Sequence, residues 1–398
     1  MTTFPHTTAH RTHRRLAILG STGSIGQSTL RVIDDHPGAF QVVAIAAHSS
    51  IDDLEAQFHK YMPAFIGVVD ETAGRRLKEK LKDESVEVVI GQRDLVSLAG
   101  LSGVDLVLNA VVGAAGLQAS LEAVRSGKLL ALANKESLVA GGPLFPSLME
   151  RSGSVILPVD SEHSAIWQAL RAGNKEEVAK IILTASGGPF RDYPVEKFGD
   201  ITVEQALAHP TWKMGAKITI DSATMVNKGL EVIEAVMLFD VPPSDIQVVI
   251  HPQSVIHSMV EYRDSSVIAQ MSMPDMCLPI AYALFWPERP ASPHGRIDWN
   301  QLTQLTFEQP DYRRFPGLKL AQEVAGIGGT APAVFNAANE VAVASFLESG
   351  IRFTTIADTI KEAVESVPVN TRPTLDDILD ADRQAREVAR KFTESKAC

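Results

Sequence analysis

L-A-I-L-G-S-T-G-S-I-G, residues 16–26, is the stretch on which the reading of the fold turns. Leu16, Ala17, Ile18 and Leu19 make a short apolar strand that runs straight into glycines at positions 20, 23 and 26. A helical pattern follows through Ser28, Leu30, Val32 and Ile33. Strand, glycine-rich turn and helix N-terminus together make a phosphate cradle, because small residues admit a close backbone approach and the helix end presents free N–H groups. The spacing is G-x-x-G-x-x-G, a variant of the dinucleotide fingerprint G-x-G-x-x-G. A lone triplet of this kind also suits an ordinary tight turn. Its place at the first strand-to-helix junction favours the cradle.

The chain around it alternates. Strands are expected at 41–46, 65–69, 86–90, 105–108 and 129–132, with helices between most of them, including 75–82 and 116–126. That pattern predicts a parallel sheet wound on both sides, with ligand residues beyond the strand C-termini. The second strand ends in Ala47-His48-Ser49-Ser50, without the acid that usually holds the ribose of NAD, so NADP is expected and His48 is the available cation. Asn109-Ala110 and Asn134-Lys135-Glu136 are the polar strand ends. Asn134 and Glu136 also fit a helix cap with acid in the first turn. Lys135 does not.

A boundary falls at Pro143–Pro146, and a new strand at 154–159 ends in Asp160-Ser161-Glu162-His163. On an extended backbone residues i and i+2 share a face, so Asp160 and Glu162 would present two carboxylates to one point. Two close carboxylates call for a cation, and oxygen ligands suit Mg²⁺ or Mn²⁺. An exposed acidic turn is the alternative. The strand at 180–184 opens into Ala185-Ser186-Gly187-Gly188-Pro189-Phe190, and His209-Pro210-Thr211-Trp212-Lys213-Met214-Gly215 has the composition of a lid. Residues 217–220 read as a strand entering a helix capped by Asp221-Ser222. In that helix Val226, Leu230, Ile233 and Met237 recur as one buried stripe, and Asn227, Lys228 and Glu231 share the opposite wedge. A solvated face would look the same.

Strands at 247–250, 255–262 and 267–273, the last two joined by a hairpin at 263–266, predict an α+β domain with a partly antiparallel sheet whose apolar face suits a dimer. Helices at 318–324, 331–347, 356–364 and 375–391 predict a C-terminal bundle. The expected organisation is a leader at 1–15, a Rossmann-like dinucleotide-binding domain at 16–150, a catalytic and dimerisation domain at 151–285, a linker at 286–315 and a helical domain at 316–398. Composition narrows the class. A net charge of −11 argues against nucleic acid or an anionic membrane as main partner. No apolar run approaches the roughly 20 residues of a membrane helix. Cys277 and Cys398 form no metal pattern and fit a reducing compartment, so a cytoplasmic location is expected.

Taken together, the blocks G-S-T-G-S-I-G (20–26), A-N-K-E (133–136), P-V-D-S-E-H-S-A (158–165), T-A-S-G-G-P-F (184–190), H-P-T-W-K-M-G (209–215), D-S-A-T-M-V-N-K-G-L-E (221–231), H-P-Q-S (251–254) and N-A-A-N-E (336–340) resemble the 1-deoxy-D-xylulose 5-phosphate reductoisomerase family over nearly all the chain after the leader. The resemblance implies NADPH-dependent conversion of that sugar phosphate to 2-C-methyl-D-erythritol 4-phosphate by a homodimer. It implies Asp160, Glu162 and Glu231 as ligands of one Mg²⁺ or Mn²⁺, with Lys135 and Ser161 at the reacting end of the substrate. Ser186, Ser222, Asn227 and Lys228 would bind the phosphate, with His209 closing from the lid. Thr22, Gly23, Ser24 and Ile25 would cradle the cofactor phosphates, helped by Asn134, Glu136 and Gly215. The family's Gly-Lys-Asn run after the second strand is replaced here by Ala47-His48-Ser49. Two other readings compete: a different NAD(P)-dependent sugar-phosphate or homoserine-type dehydrogenase, and a nucleotide-sensing protein without catalysis.

Overall fold

A computed structural model describes residues 13–212 and 214–397. Residues 1–12 of the expected leader, Lys213 of the lid motif and Cys398 lie outside the described residues. The chain forms two compact units. One comprises Met1–Ser137, Phe145–Ser164 and Asp275–His294, and the other Leu138–Leu144, Ala165–Pro274 and Gly295–Cys398.

The first unit is built on seven strands: β1 (Arg14–Leu19), β2 (Phe40–Ala47), β3 (Phe65–Val68), β4 (Glu87–Ile90), β5 (Leu106–Asn109), β6 (Leu129–Leu132) and β7 (Val155–Pro158). Their order is β4-β3-β2-β1-β5-β6-β7, and every pairing is parallel. Leu16–Leu19 and Leu106–Leu108 have no exposed surface, which is why these strands are unbroken apolar runs instead of alternating ones. The order reverses between β1 and β5, and the glycine turn leaves β1 at that switch point. Two of its glycines are sterically required. A Cβ on Gly20, at φ +88°, would stand 2.6 Å from the Ala110 carbonyl oxygen, and one on Gly26 would stand 2.3 Å from the Gly20 carbonyl oxygen.

Two expected boundaries move. β1 starts at Arg14, whose buried guanidinium donates to the carbonyl oxygens of Leu284 (2.6 Å) and Trp286, so Arg14 and Arg15 belong to the sheet and not to the leader. The nucleotide unit also continues past 150: β7 completes the sheet, and the helix Cys277–Phe285 returns to pack on the helix Ser24–Asp35. Phe285 packs there at a tilt against His36 and edge-on against Phe40, with ring centroids 4.7 and 4.8 Å apart.

The second unit holds a mixed sheet of β8 (Val178–Ala185), β9 (Ile246–Ile250), β10 (Ile256–Tyr262) and β11 (Val267–Met271) in the order β11-β10-β8-β9. β8 and β9 are parallel and the other pairs antiparallel. Residues 217–220 are not a strand; they lie inside the helix Ala216–Ala223. Their four-residue alternation is too short to outweigh the helix, in which the Thr219 hydroxyl donates back to the Gly215 carbonyl at 2.8 Å. Asp221 and Ser222 accordingly end this helix and do not cap the next. The chain turns at Thr224 and at Met225, which sits in the left-handed region at φ 60°, before the helix Val226–Phe239 begins.

The helices Pro316–Ile327, Ala331–Leu347, Thr355–Ser366 and Leu375–Ser395 complete the unit. The last starts with a capping box between Thr374 and Asp377. The expected linker is divided between the units at His294, and its end is held firmly: Arg314 Nη1 donates to the carbonyls of Arg191 (2.7 Å) and Tyr193 (2.6 Å). Among the described residues no helix is long and apolar enough to cross a membrane.

Candidate active site

In the first unit the glycine turn is open where a ligand would need it. Thr22 and Ile25 are half-buried, Gly23 and Ser24 exposed, while Ser21 turns inward and donates to Gln57 Oε1 at 2.7 Å. The helix Ser24–Asp35 begins at Gly23 with no side-chain cap and no acid in its first turn, so no side-chain oxygen covers its leading N–H groups. The Gly20 and Ser21 amides both donate to the Ala46 carbonyl (2.8 and 2.9 Å), which brings buried Ala47 and exposed His48 beside the turn.

At the end of β6, Asn134 is a helix cap: its Oδ1 accepts from the Ser137 amide at 3.0 Å. Its Nδ2 donates to the carbonyls of Val111 (2.6 Å) and Gly113 (2.8 Å), pinning the loop beyond β5, and Glu136 accepts from the same amide at 3.1 Å. Lys135 points elsewhere. Its Nζ stands 2.7 Å from Asp160 Oδ2, with side chains only 7% and 12% exposed. Asp160 Oδ1 accepts from the Glu162 amide and faces His163 Nδ1, each at 3.1 Å, and the Ser161 hydroxyl donates to Glu162 Oε2 at 2.5 Å.

The route by which Asp160 and Glu162 were expected to converge is therefore different. β7 stops at Pro158, and Glu162 lies in the first turn of the helix Ser161–Ala169, with Asp160 just before it. Helix-end geometry, not strand alternation, gathers these residues. His163, fully buried three residues after Asp160, is a supporting side chain that the strand reading passed over; the i, i+3 spacing was its signal.

In the second unit, Ser186 follows β8 and its hydroxyl lies 3.3 Å from His209 Nε2. Gly188, at φ +66°, is pressed on the neighbouring helix end: a Cβ there would be 2.7 Å from the Ser222 carbonyl oxygen. Backbone amides of Thr211 (3.1 Å) and Trp212 (2.9 Å) both donate to His209 Nδ1, which leaves Nε2 to carry the proton of the neutral ring. Burial pushes the His209 pKa down, in keeping with that neutral form. Trp212 is half-buried, its ring 6.5 Å from that of His257, and Gly215 caps the helix Ala216–Ala223.

Asn227, Lys228 and Glu231 do not form a solvated face. The Lys228 and Glu231 side chains are 5% and 1% exposed; the ammonium contacts Glu231 Oε2 and Asn227 Nδ2 donates to Oε1 at 2.5 Å. Buried Asp221 pairs with Lys217 at 2.8 Å and accepts from Asn339 Nδ2 at 2.8 Å, tying the helix that carries Ser222 to the helix Ala331–Leu347.

A doubly wound parallel sheet with an open glycine turn at its switch point, and a buried lysine–carboxylate cluster at the end of its last strands, define a dinucleotide-dependent oxidoreductase. Family models described as 1-deoxy-D-xylulose 5-phosphate reductoisomerase and its C-terminal domains match residues 16–142, 156–239 and 271–388. The chain belongs to the 1-deoxy-D-xylulose 5-phosphate reductoisomerase family. It is 51% identical to the reductoisomerase of Chlorobaculum tepidum, covering 95% of this chain and 99% of that one. With the Pseudomonas paraeruginosa enzyme the identity is 49%, covering 94% and 97%. A reductoisomerase from Zymomonas mobilis in complex with NADPH superposes with a TM-score of 0.90 at 44% identity, covering 96% and 99% of the two chains. A reductoisomerase in complex with NADPH, fosmidomycin and magnesium gives a TM-score of 0.92 at 41% identity, covering 96% and 98%.

Proposed function

We infer that the residues gathered above carry out the family's reaction, the NADPH-dependent conversion of 1-deoxy-D-xylulose 5-phosphate to 2-C-methyl-D-erythritol 4-phosphate. The observation that carries this reading is the 51% identity that runs the length of the chain. The related structures are complexes with NADPH and magnesium, and the donors here fit both groups: an uncapped glycine turn for phosphate, and carboxylate oxygens for a hard divalent ion. NADPH supplies the hydride, and Mg²⁺ or Mn²⁺ supplies Lewis-acid stabilisation of negative charge as the carbon skeleton rearranges.

In this proposal Asp160, Glu162 and Glu231 hold the metal, with His163 orienting Asp160. Lys135, already paired with Asp160, and Ser161 take the reacting oxygens of the substrate. Ser186, Ser222, Asn227 and Lys228 bind the phosphate, an anchor remote from the reacting carbons that fixes their orientation. His209 donates its Nε2–H to that phosphate, and the loop bearing Trp212 excludes water. Thr22, Gly23, Ser24 and Ile25 bind cofactor phosphates, and Ala47-His48 meets the 2′-phosphate. Gly215, Glu136 and Asn134 stand at the cofactor's other end, Asn134 acting through the loop it pins. We also propose a cytoplasmic homodimer. The support for a dimer is edge strand β11, where Val267 and Ile268 are 47% and 37% exposed.

The deciding experiment follows NADPH oxidation with 1-deoxy-D-xylulose 5-phosphate before and after chelation. Turnover that vanishes with chelator and returns with Mg²⁺ or Mn²⁺ is expected. Turnover indifferent to metal would overturn the assignment of the carboxylates.

A further inference from the structure

The spacing of the cysteines shows no metal pattern, but the fold of the first unit assembles one around Cys277. Asp275 Oδ1 accepts from the Cys277 amide at 2.9 Å, which sets the thiol at the start of the helix Cys277–Phe285. The thiol is fully buried, its Sγ 3.9 Å from the Ser28 carbonyl oxygen. His294 reaches the same point from the end of the returning segment. Its Nδ1 lies 3.7 Å from Asp275 Oδ2, and its Nε2 lies 3.0 Å from Asp35 Oδ2. One donor atom from each of Asp275, Cys277 and His294 falls within 4.8 Å of the others.

We propose that Asp275, Cys277 and His294 bind a thiophilic divalent ion of the zinc class, at a site distinct in its residues from the oxygen-only carboxylates assigned to the reaction. The donor chemistry selects the ion. Sulfur with imidazole and a single carboxylate is a poor set for Mg²⁺ and a good one for Zn²⁺ or Co²⁺. Asp35 Oδ2 stands 3.0 Å from the second ring nitrogen without a hydrogen bond to it, so its carboxylate adds negative charge beside the imidazole. The local charge also suits a cation: Asp35 and Asp275 face the cluster, and Arg31, on the same helix as Asp35, offsets one of the two. Binding displaces the Cys277 thiol proton to solvent and leaves a thiolate on the ion. The His294 and Asp275 side chains, 20% and 33% exposed, form the entry.

The test is a Co²⁺ titration of the metal-stripped full chain, followed by absorption. A thiolate-to-cobalt charge-transfer band in the near ultraviolet is expected to saturate at one ion per chain, whereas Co²⁺ on carboxylates alone gives none. Cys277→Ser should abolish the band, His294→Gln should weaken the apparent affinity at least about tenfold, and Cys398→Ser should leave it unchanged. His294→Gln alters a part-exposed group and keeps the test intact if Cys277→Ser misfolds. Absence of the band in the parent protein, its survival in Cys277→Ser, or its loss in Cys398→Ser overturns the proposal.

Discussion

Lys228 and Glu231, one turn apart on the helix Val226–Phe239, close on each other as a buried ion pair. An exposed pair at this spacing contributes a few tenths of a kcal/mol, whereas breaking a buried pair by removing one partner costs about 3–5 kcal/mol because a charge is left uncompensated. Glu231→Gln should therefore lower the melting temperature of the metal-free protein as well as turnover. Lys228→Met with Glu231→Leu should recover most of the stability and none of the activity. Thermal melts and NADPH oxidation read the two effects separately. A single Glu231→Gln variant with parental turnover would remove Glu231 from the metal site.

Acid should act through His209. Its pKa is held below the ordinary histidine value of 6.5 by burial, so the unfolded chain takes up that proton more readily than the folded one. Stability from this group is intact above that value and falls as the pH drops through it, continuing to fall towards the lower folded pKa. Melting curves from pH 8 to pH 5 should show a steeper acid-side loss for the parent than for His209→Gln. Parallel curves would contradict the sign.

The glycine turn separates two kinds of glycine. Gly26→Ala drives a Cβ into the Gly20 carbonyl and should cost about 1–3 kcal/mol while weakening NADPH binding. At Gly23 the nearest contact would be an ordinary 3.5 Å, so Gly23→Ala should fold normally. Melts and NADPH fluorescence titrations test both, and equal destabilisation would refute the distinction.

Asn339 touches Asp221, the neighbour of Ser222, and in the proposed site would support phosphate binding at one remove. Asn339→Leu withdraws a hydrogen bond from a buried carboxylate, with an expected loss of about 1–3 kcal/mol. Steady-state kinetics should show KM for the sugar phosphate rising more than kcat falls. A change confined to kcat would place Asn339 in another role.

The proposed contact of exposed His48 with the 2′-phosphate makes cofactor preference depend on that one side chain. His48→Ala should reduce the ratio of NADPH to NADH turnover while leaving NADH turnover in place. An unchanged ratio would clear His48 of contact with the 2′-phosphate.

Much of the nucleotide unit was legible because burial on both faces leaves unbroken apolar runs such as Leu16–Leu19, and because the glycine spacing reflects contacts within a few residues. Local pattern misled where it was short. Residues 217–220 alternate like a strand and fold as a helix. The charged wedge of Asn227, Lys228 and Glu231 matched a wet surface, since what buries it comes from elsewhere in the chain. The return of Asp275–His294 to the first unit left no trace in periodicity, because its partners Arg14, Ser28 and Asp35 lie some 250 residues away.

That return sets an order of events during synthesis. β1 is made well before its partners: the carbonyls that receive the Arg14 guanidinium belong to Leu284 and Trp286, 270 and 272 residues later. The nucleotide-binding unit must wait, incompletely satisfied, until Trp286 has been made. A fragment ending near residue 150 therefore lacks both β7 and the carbonyls that receive Arg14, and is a nascent intermediate and not a domain.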